Sequence, residues 1–411
     1  MTVPHWLPTE IWRLIFQLAT AEGLDIYETE YIPFQSSNFF PPRSPTTAIS
    51  LSRVSKQWQA LAAEFLFQRV WVRHGVRGLL ESLKGSIQSE GYGRYVRRLE
   101  LSSTPVNRDA ANPIRLVDIL ACCPYLQIFV QPAFLVCEVG DLEFWSNPIP
   151  AEQHQSNDVV LTSLKFLHWS SYGDMEEALE ASRSFLSNVI LRSPNLCYLS
   201  ISFPMLVSGS IFKGVGRTGH PVLFPSLKTL AFKRDSGLND QVIQNSDFPN
   251  LTHLKLPPFH LYDISPDGSS ILHVVGLQLR TVELHKDRQG GARLDVNPFF
   301  KLCSNLQELA YHVGFPPLQP PHLLQHLELK TVRIQIESID HLREQYGGGL
   351  SWAMLDEAFA FFSAYAFPAL QLIILHGDWD SVVHDSQFRP LRQLVLDRGC
   401  SLEYPNGTPV Q

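Results

Sequence analysis

Three stretches repeat one phrase: PNLCYLSI at Pro194–Ile201, PSLKTLAF at Pro225–Phe232 and PNLTHLKL at Pro249–Leu256. Each reads Pro-x-Leu-x-x-Leu-x-apolar. The last two apolar residues are spaced two apart, which puts them on one face of a strand, and the residues flanking the middle leucine fall on the other face. Variants of the phrase recur along the chain. They are VRRLEL ending at Leu101, LTSLKFLHW at Trp169, LRTVEL at Leu284, NLQELAY at Tyr311, LLQHLEL at Leu329, PALQLIIL at Leu375 and PLRQLVL at Leu396, with PYLQIF at Pro124–Phe129 a weaker copy.

Successive copies lie mostly about 20 to 35 residues apart, the period of leucine-rich repeats. Amphipathic runs such as IRLVDILACC before Pro124 and MEEALEASRSFLSNVILRS before Pro194 fill the gaps with helix. A short strand plus a helix cannot bury its own leucines, whereas a stack of such units buries them in one continuous core. The expected fold is therefore α/β, an irregular leucine-rich-repeat solenoid over residues 73–411 with a parallel sheet on its concave face. The recurring phrase separates this from the ordinary alternation of β and α elements in a compact domain. The register places Phe166 and His168, Tyr198 and Ser200, His253 and Lys255, Thr281 and Glu283, Glu308 and Ala310, and His326 and Glu328 on the open concave face. This mixture of aromatic, imidazole and acidic groups suits a protein target, and these twelve are the candidate target-binding residues.

The chain has 411 residues, 45% of them apolar and 18% charged, an ordinary globular balance. The net charge of −7 is spread along the length without a run of five or six Lys/Arg, so no nucleic-acid partner is expected. Cys122, Cys123, Cys137, Cys197, Cys303 and Cys400 lack the spacing of a disulfide scaffold or a zinc site and read as small apolar residues in a reducing compartment. MTVPHWLPTEIW has neither a basic nor a continuous apolar segment, so a secretory leader is not expected, and the sequons at Asn250 and Asn406 would go unused. The uncharged stretch Ala358–Leu375 is interrupted by Ser363, Pro368 and Gln371 and reads as a buried helix followed by a buried strand, so no membrane partner is expected. Together these features predict a cytoplasmic or nuclear protein.

At the N-terminus, Leu7-Pro8-Thr9-Glu10 opens a helix, with proline at an early position and an acid in the first turn. Ile11, Leu14, Ile15 and Leu18 form one apolar stripe that must be covered by something. Residues from about 24 to 46 lack any period and read as a loop. Helical spacing then returns through Leu51, Val54, Trp58, Leu61, Ala62 and Phe65.

LPTEIWRLIF and LSRVSKQWQALAAEFLFQRVWV, in this order, resemble the F-box family. The first carries its Leu-Pro-x-Glu-Ile opening. The second carries its Leu-x-x-Val-Cys/Ser-Lys-x-Trp signature, with Ser55 at the position often held by cysteine, and an aromatic-rich helix closing near Trp71. The likeness covers residues 1–72, and its inserted loop is longer than in compact F-boxes. It implies a small helical domain that binds a Skp-family adaptor and, through it, cullin and RING subunits. Carried over by motif position, Leu7, Pro8, Glu10, Ile11, Ile15, Val54, Ser55, Trp58 and Leu61 form or support the docking surface. The function implied is substrate recognition in a Skp-cullin-F-box ubiquitin ligase, with no covalent chemistry in this chain. A scaffold or sequestering role outside ubiquitin ligation, or an enzyme with a composite site in the array, stand as alternatives.

No catalytic residue, metal ligand or cofactor is assigned. GVGRTG at 214–219 spells GxGxxG, but His220-Pro221 and Phe224-Pro225 leave no helix to meet a pyrophosphate. His322 and His326 have helical zinc spacing but fall at the entry of a repeat strand. Asp378-Trp379-Asp380 reads as a solvated loop around a packed tryptophan.

Overall fold

A computed structural model describes residues 7–20, 33–34, 46–72, 76–86, 89–101, 116–131, 160–170, 185–202, 222–232, 246–257, 270–284, 294–313, 318–319, 325–336, 348–362 and 365–410. The motif 214–219, His322 and Cys137 lie outside them.

The Leu-Pro-x-Glu opening starts α1 (Thr9–Thr20), where the N–H groups of Ile11 and Trp12 donate to Pro8 O at 3.0 and 3.2 Å. α2 (Thr46–Ser52) and α3 (Lys56–Gln68) follow. Ser55 caps α3: its backbone is extended and its hydroxyl accepts from the Trp58 N–H at 3.1 Å, satisfying one of the four unpaired donors of a helix start. Trp12 and Phe16 of α1 pack on Trp58 and Phe65 of α3, with Trp58 centred 5.1 Å from both Trp12 and Phe16, and Leu51 of α2 packs against the same cluster. The closing helix expected to reach Trp71 stops at Gln68. Arg69–Val72 (β1) instead alternates half-buried and buried and pairs in parallel with Arg98–Leu101 (β2), because β-branched Val70 and Val72 at period two fit a pleat better than a helix.

The chain divides into two compact units: 1–30 with 36–207 and 211–215, and 31–35 with 208–210 and 216–411. The first unit contains α1–α3 and five parallel strands: β1, β2, Ile128–Gln131 (β3), Phe166–Ser170 (β4) and Tyr198–Ser202 (β5). The second contains seven: Thr229–Phe232 (β6), His253–Leu256 (β7), Thr281–Leu284 (β8), Glu308–His312 (β9), Thr331–Ile336 (β10), Leu372–Gly377 (β11) and Ser401–Glu403 (β12), paired in chain order and all parallel. Parallel neighbours need a crossover, and segments such as Leu116–Ala121, Ile271–Val275, Asn297–Leu302 and Gly348–Phe362 supply helical ones.

The phrase explains the ladder. Its middle apolar residue runs in register across each unit: Leu99, Phe129, Leu167 and Leu199 in the first, and Leu230, Leu254, Val282, Leu309, Val332, Ile373 and Leu402 in the second, all buried. The leucine three residues earlier is buried as well, as at Leu126, Leu164, Leu196, Leu227, Leu251, Leu279 and Leu306. Each such side chain contributes about 1.5 to 3 kcal/mol. The asparagine preceding this leucine ties consecutive units together: Asn195, Asn250 and Asn305 donate through Nδ2 to the carbonyls of Thr162, Pro225 and Leu277 at 2.8, 2.6 and 2.7 Å.

Two copies of the phrase depart from this pattern. In LLQHLEL the strand begins later, at Thr331. Leu329 occupies the entry position, Val332 the middle one, and Leu327 is exposed. The β-branched run Thr-Val-Arg-Ile-Gln-Ile outcompetes the preceding leucines for the sheet. PLRQLVL lies inside the helix Phe388–Asp397, where Phe388, Leu391 and Val395 are buried at spacings of three and four. The strand of this unit is β12, reached through Gly399 at φ 79°. The uncharged 358–375 stretch is the end of a helix and the start of β11, and no described helix is long and apolar enough to cross a membrane.

Candidate functional site

Two surfaces are candidate sites, one in each unit. In the first unit, α1 buries Phe16 and tucks Trp12 against α3, and this orientation turns its other face outward. Ile11, Leu14, Ile15 and Leu18 are exposed, Leu14 and Leu18 by 52% and 69%, and Val54 is exposed in the turn between α2 and α3. The stripe that the sequence requires to be covered is therefore uncovered in this chain. Among the residues assigned by resemblance, Pro8, Glu10, Ile11, Ile15 and Val54 are exposed and Leu7 is half-buried. Ser55, Trp58 and Leu61 act from behind, as helix cap and packing. Leu14 and Leu18 extend the face beyond those residues.

In the second unit, the sheet face opposite the leucine core carries two groups of polar contacts, one on β7 and β8 and one on β9 to β11. Lys255 Nζ on β7 pairs with Glu283 Oε1 on β8, and Glu308 Oε1 on β9 pairs with Arg333 Nε on β10. Arg333 Nη1 lies 3.2 Å from His376 Nε2 on β11. Burial, and then the Arg333 charge, push His376 down to about 4 against an opposing pull from Glu283; the ring is thus neutral near pH 7 and accepts from the guanidinium. Phe34 bridges the two groups by touching Glu283 of one and His376 of the other. Its N–H donates to Glu283 Oε2 at 3.2 Å, and its ring centroid is 5.5 Å from that of His376. Phe34 is half-buried and its neighbour Pro33 is buried. Glu283 is 1% exposed, a position a carboxylate tolerates only with such partners.

The register therefore puts His253, Lys255, Thr281, Glu283, Glu308 and Ala310 on one sheet face, as expected, but that face is not open: Thr281, Glu283 and Ala310 are buried and His253, Lys255 and Glu308 half-buried. The corresponding face of the first unit holds Phe166 and His168 beside Tyr198 and Ser200. The Phe166 and Tyr198 rings stack at 4.0 Å, and His168 and Ser200 are buried. His326 and Glu328 are not on a sheet face. His326 is buried before β10, with Nε2 2.9 Å from Cys303 O and its ring 5.4 Å from Phe300, and Glu328 is exposed.

The sequence reading missed Arg333 because of the slipped register in LLQHLEL, and His376 because it lies past the flanking positions. It also missed the buried pair Arg98 and Glu100 with half-buried Arg69, in which Glu100 Oε1 accepts from Arg69 Nε at 2.9 Å and Arg98 Nε at 2.5 Å; VRRLEL carries Arg98 and Glu100 at the flanking positions. Burial drives the Cys123 and Cys303 thiols up to about 12, so both behave as apolar fillers. Trp379 is buried, with its indole N–H donating to His376 O at 2.8 Å. Among the described residues no group of three or more His, Cys, Asp or Glu is placed to hold a metal.

No family model matches this chain, and no curated protein matches it. Among solved structures it is similar to a chain of the Toll–Spatzle complex, described as a molecular hub in Drosophila development and innate immunity, at 12% identity and a TM-score of 0.32. The alignment covers 75% of this chain, and this chain spans 32% of the length of that one.

Proposed function

We propose that this chain is a recognition subunit: an F-box formed by α1–α3 docks on a Skp-family adaptor, and a leucine-rich-repeat array holds a protein target for ubiquitin transfer by the associated cullin and RING subunits. The observation that carries this reading is the exposed stripe Ile11, Leu14, Ile15 and Leu18, lying on a helix whose opposite face is firmly packed. Apolar anchors of this kind, uncovered in the chain alone, suit burial in a protein interface. On this reading the chain performs no covalent step, and its contribution is to hold the target near the transferred group.

The test is binding of the full chain to a purified Skp-family adaptor. Leu14→Glu with Leu18→Glu places two charges in the proposed interface without touching the Phe16–Trp58 packing. Affinity should fall ten-fold or more while the thermal melt stays unchanged. Full affinity in this variant would sink the reading.

A further inference from the structure

Pro33 and Phe34, which lie between α1 and α2 in the sequence, belong to the second unit and sit on its polar sheet face, where they behave as a bound ligand would. The Phe34 N–H satisfies the buried Glu283 carboxylate, its ring rests on neutral His376, and Pro33 is buried beside it. The receptor side is held in place from both directions: Lys255 fixes Glu283, and Arg333, itself paired with Glu308, fixes His376. Phe34 has φ 60° and, among the described residues, is alone in taking a positive φ without being glycine. A bulky side chain in the left-handed region is unfavourable by itself and persists only where its surroundings hold it.

We propose that this sheet face is a receptor for a proline–aromatic turn, that the chain fills it in cis with Pro33–Phe34, and that a target peptide bearing such a turn enters by displacing them. The inference deepens the target-holding half of the function proposed above by naming what is recognised: a main-chain N–H next to an aromatic ring, preceded by proline. Self-occupancy competes at the high effective concentration of a tethered segment, so the wild-type chain binds such a peptide weakly.

The probe is a fluorescein-labelled peptide with the sequence of residues 29–37, TEYIPFQSS, titrated by anisotropy into the full chain. Phe34→Ala should bind it at least ten-fold more tightly than wild type does, and a control peptide with alanine in place of the phenylalanine should bind neither. Phe34→Gly, for which the left-handed backbone is unstrained, carries the same test should the alanine variant fold poorly. Equal binding by wild type and a folded variant, no binding by a folded variant, or equal binding of the control peptide overturns the proposal. Adaptor affinity, measured on the same variants, reports separately on the F-box reading: it should be unchanged by Phe34→Ala, so failure of the peptide test leaves that reading standing.

Discussion

Removing the charge of Lys255 tests whether the pairing across β7 and β8 is a buried ion pair or a surface decoration. The Lys255 side chain is 14% exposed and that of Glu283 1%, so the two partners are unequal. Lys255→Met leaves a carboxylate with almost no access to water and without its cationic partner, and the expected destabilisation is about 3 to 5 kcal/mol. Glu283→Gln leaves a lysine whose long stem can carry its ammonium toward solvent, so its cost should be smaller, about 1 to 2 kcal/mol. The double variant removes both charges and should cost less than the sum of the two, with a coupling of at least about 1 kcal/mol. Urea denaturation followed by far-UV circular dichroism, with midpoints compared at constant slope, reads all four corners of the cycle. Additive effects, or a cost below about 1 kcal/mol for Lys255→Met, would show that water solvates Glu283 and would remove the basis for a built site on this face. Exchanging the two charges, Lys255→Glu with Glu283→Lys, keeps the pair opposed and should disturb stability less than Lys255→Met.

Gly377 ends β11 at φ 95°, and a Cβ there would fall 1.9 Å from Ile336 O, so Gly377→Ala should destabilise the second unit by more than about 2 kcal/mol, seen as a lowered urea midpoint. His376 makes stability pH-dependent. Its folded pKa, about 4, lies below the ordinary 6.5, so the stability gained from the neutral ring is complete above pH 6.5 and is lost as pH falls toward 4. Arg333, Glu283 and the Phe34 ring face it. The stability difference between wild type and His376→Gln should therefore shrink across that window, and a difference that does not change with pH would refute the assignment.

How far the fold could be read from the chain depended on whether a residue's fate was local. PNLTHLKL was readable because period-two spacing selects a face whatever lies beyond it, and Leu251, Leu254 and Leu256 are buried accordingly. LLQHLEL and PLRQLVL satisfy the same letter pattern but become a strand entry and a helix, because neighbouring residues compete for the same backbone: a β-branched run in one case, and apolar residues at spacings of three and four in the other. The apolar stripe of α1 was legible as a stripe. That it faces outward was decided by Trp12 and Phe16, which pack against Trp58 of α3.

The sequence alone determined the parallel α/β repeat, the faces of its strands and the apolar stripe of the first helix, since each follows from the spacing of side chains along a regular backbone. Only the tertiary structure decided which of those faces is covered. Phe34 and Glu283 lie 249 residues apart, and Phe34 belongs to a stretch without periodicity. Their contact depends on where the folded chain brings a loop, and that placement is a sum over many distant packing interactions with no trace in the pattern of either segment.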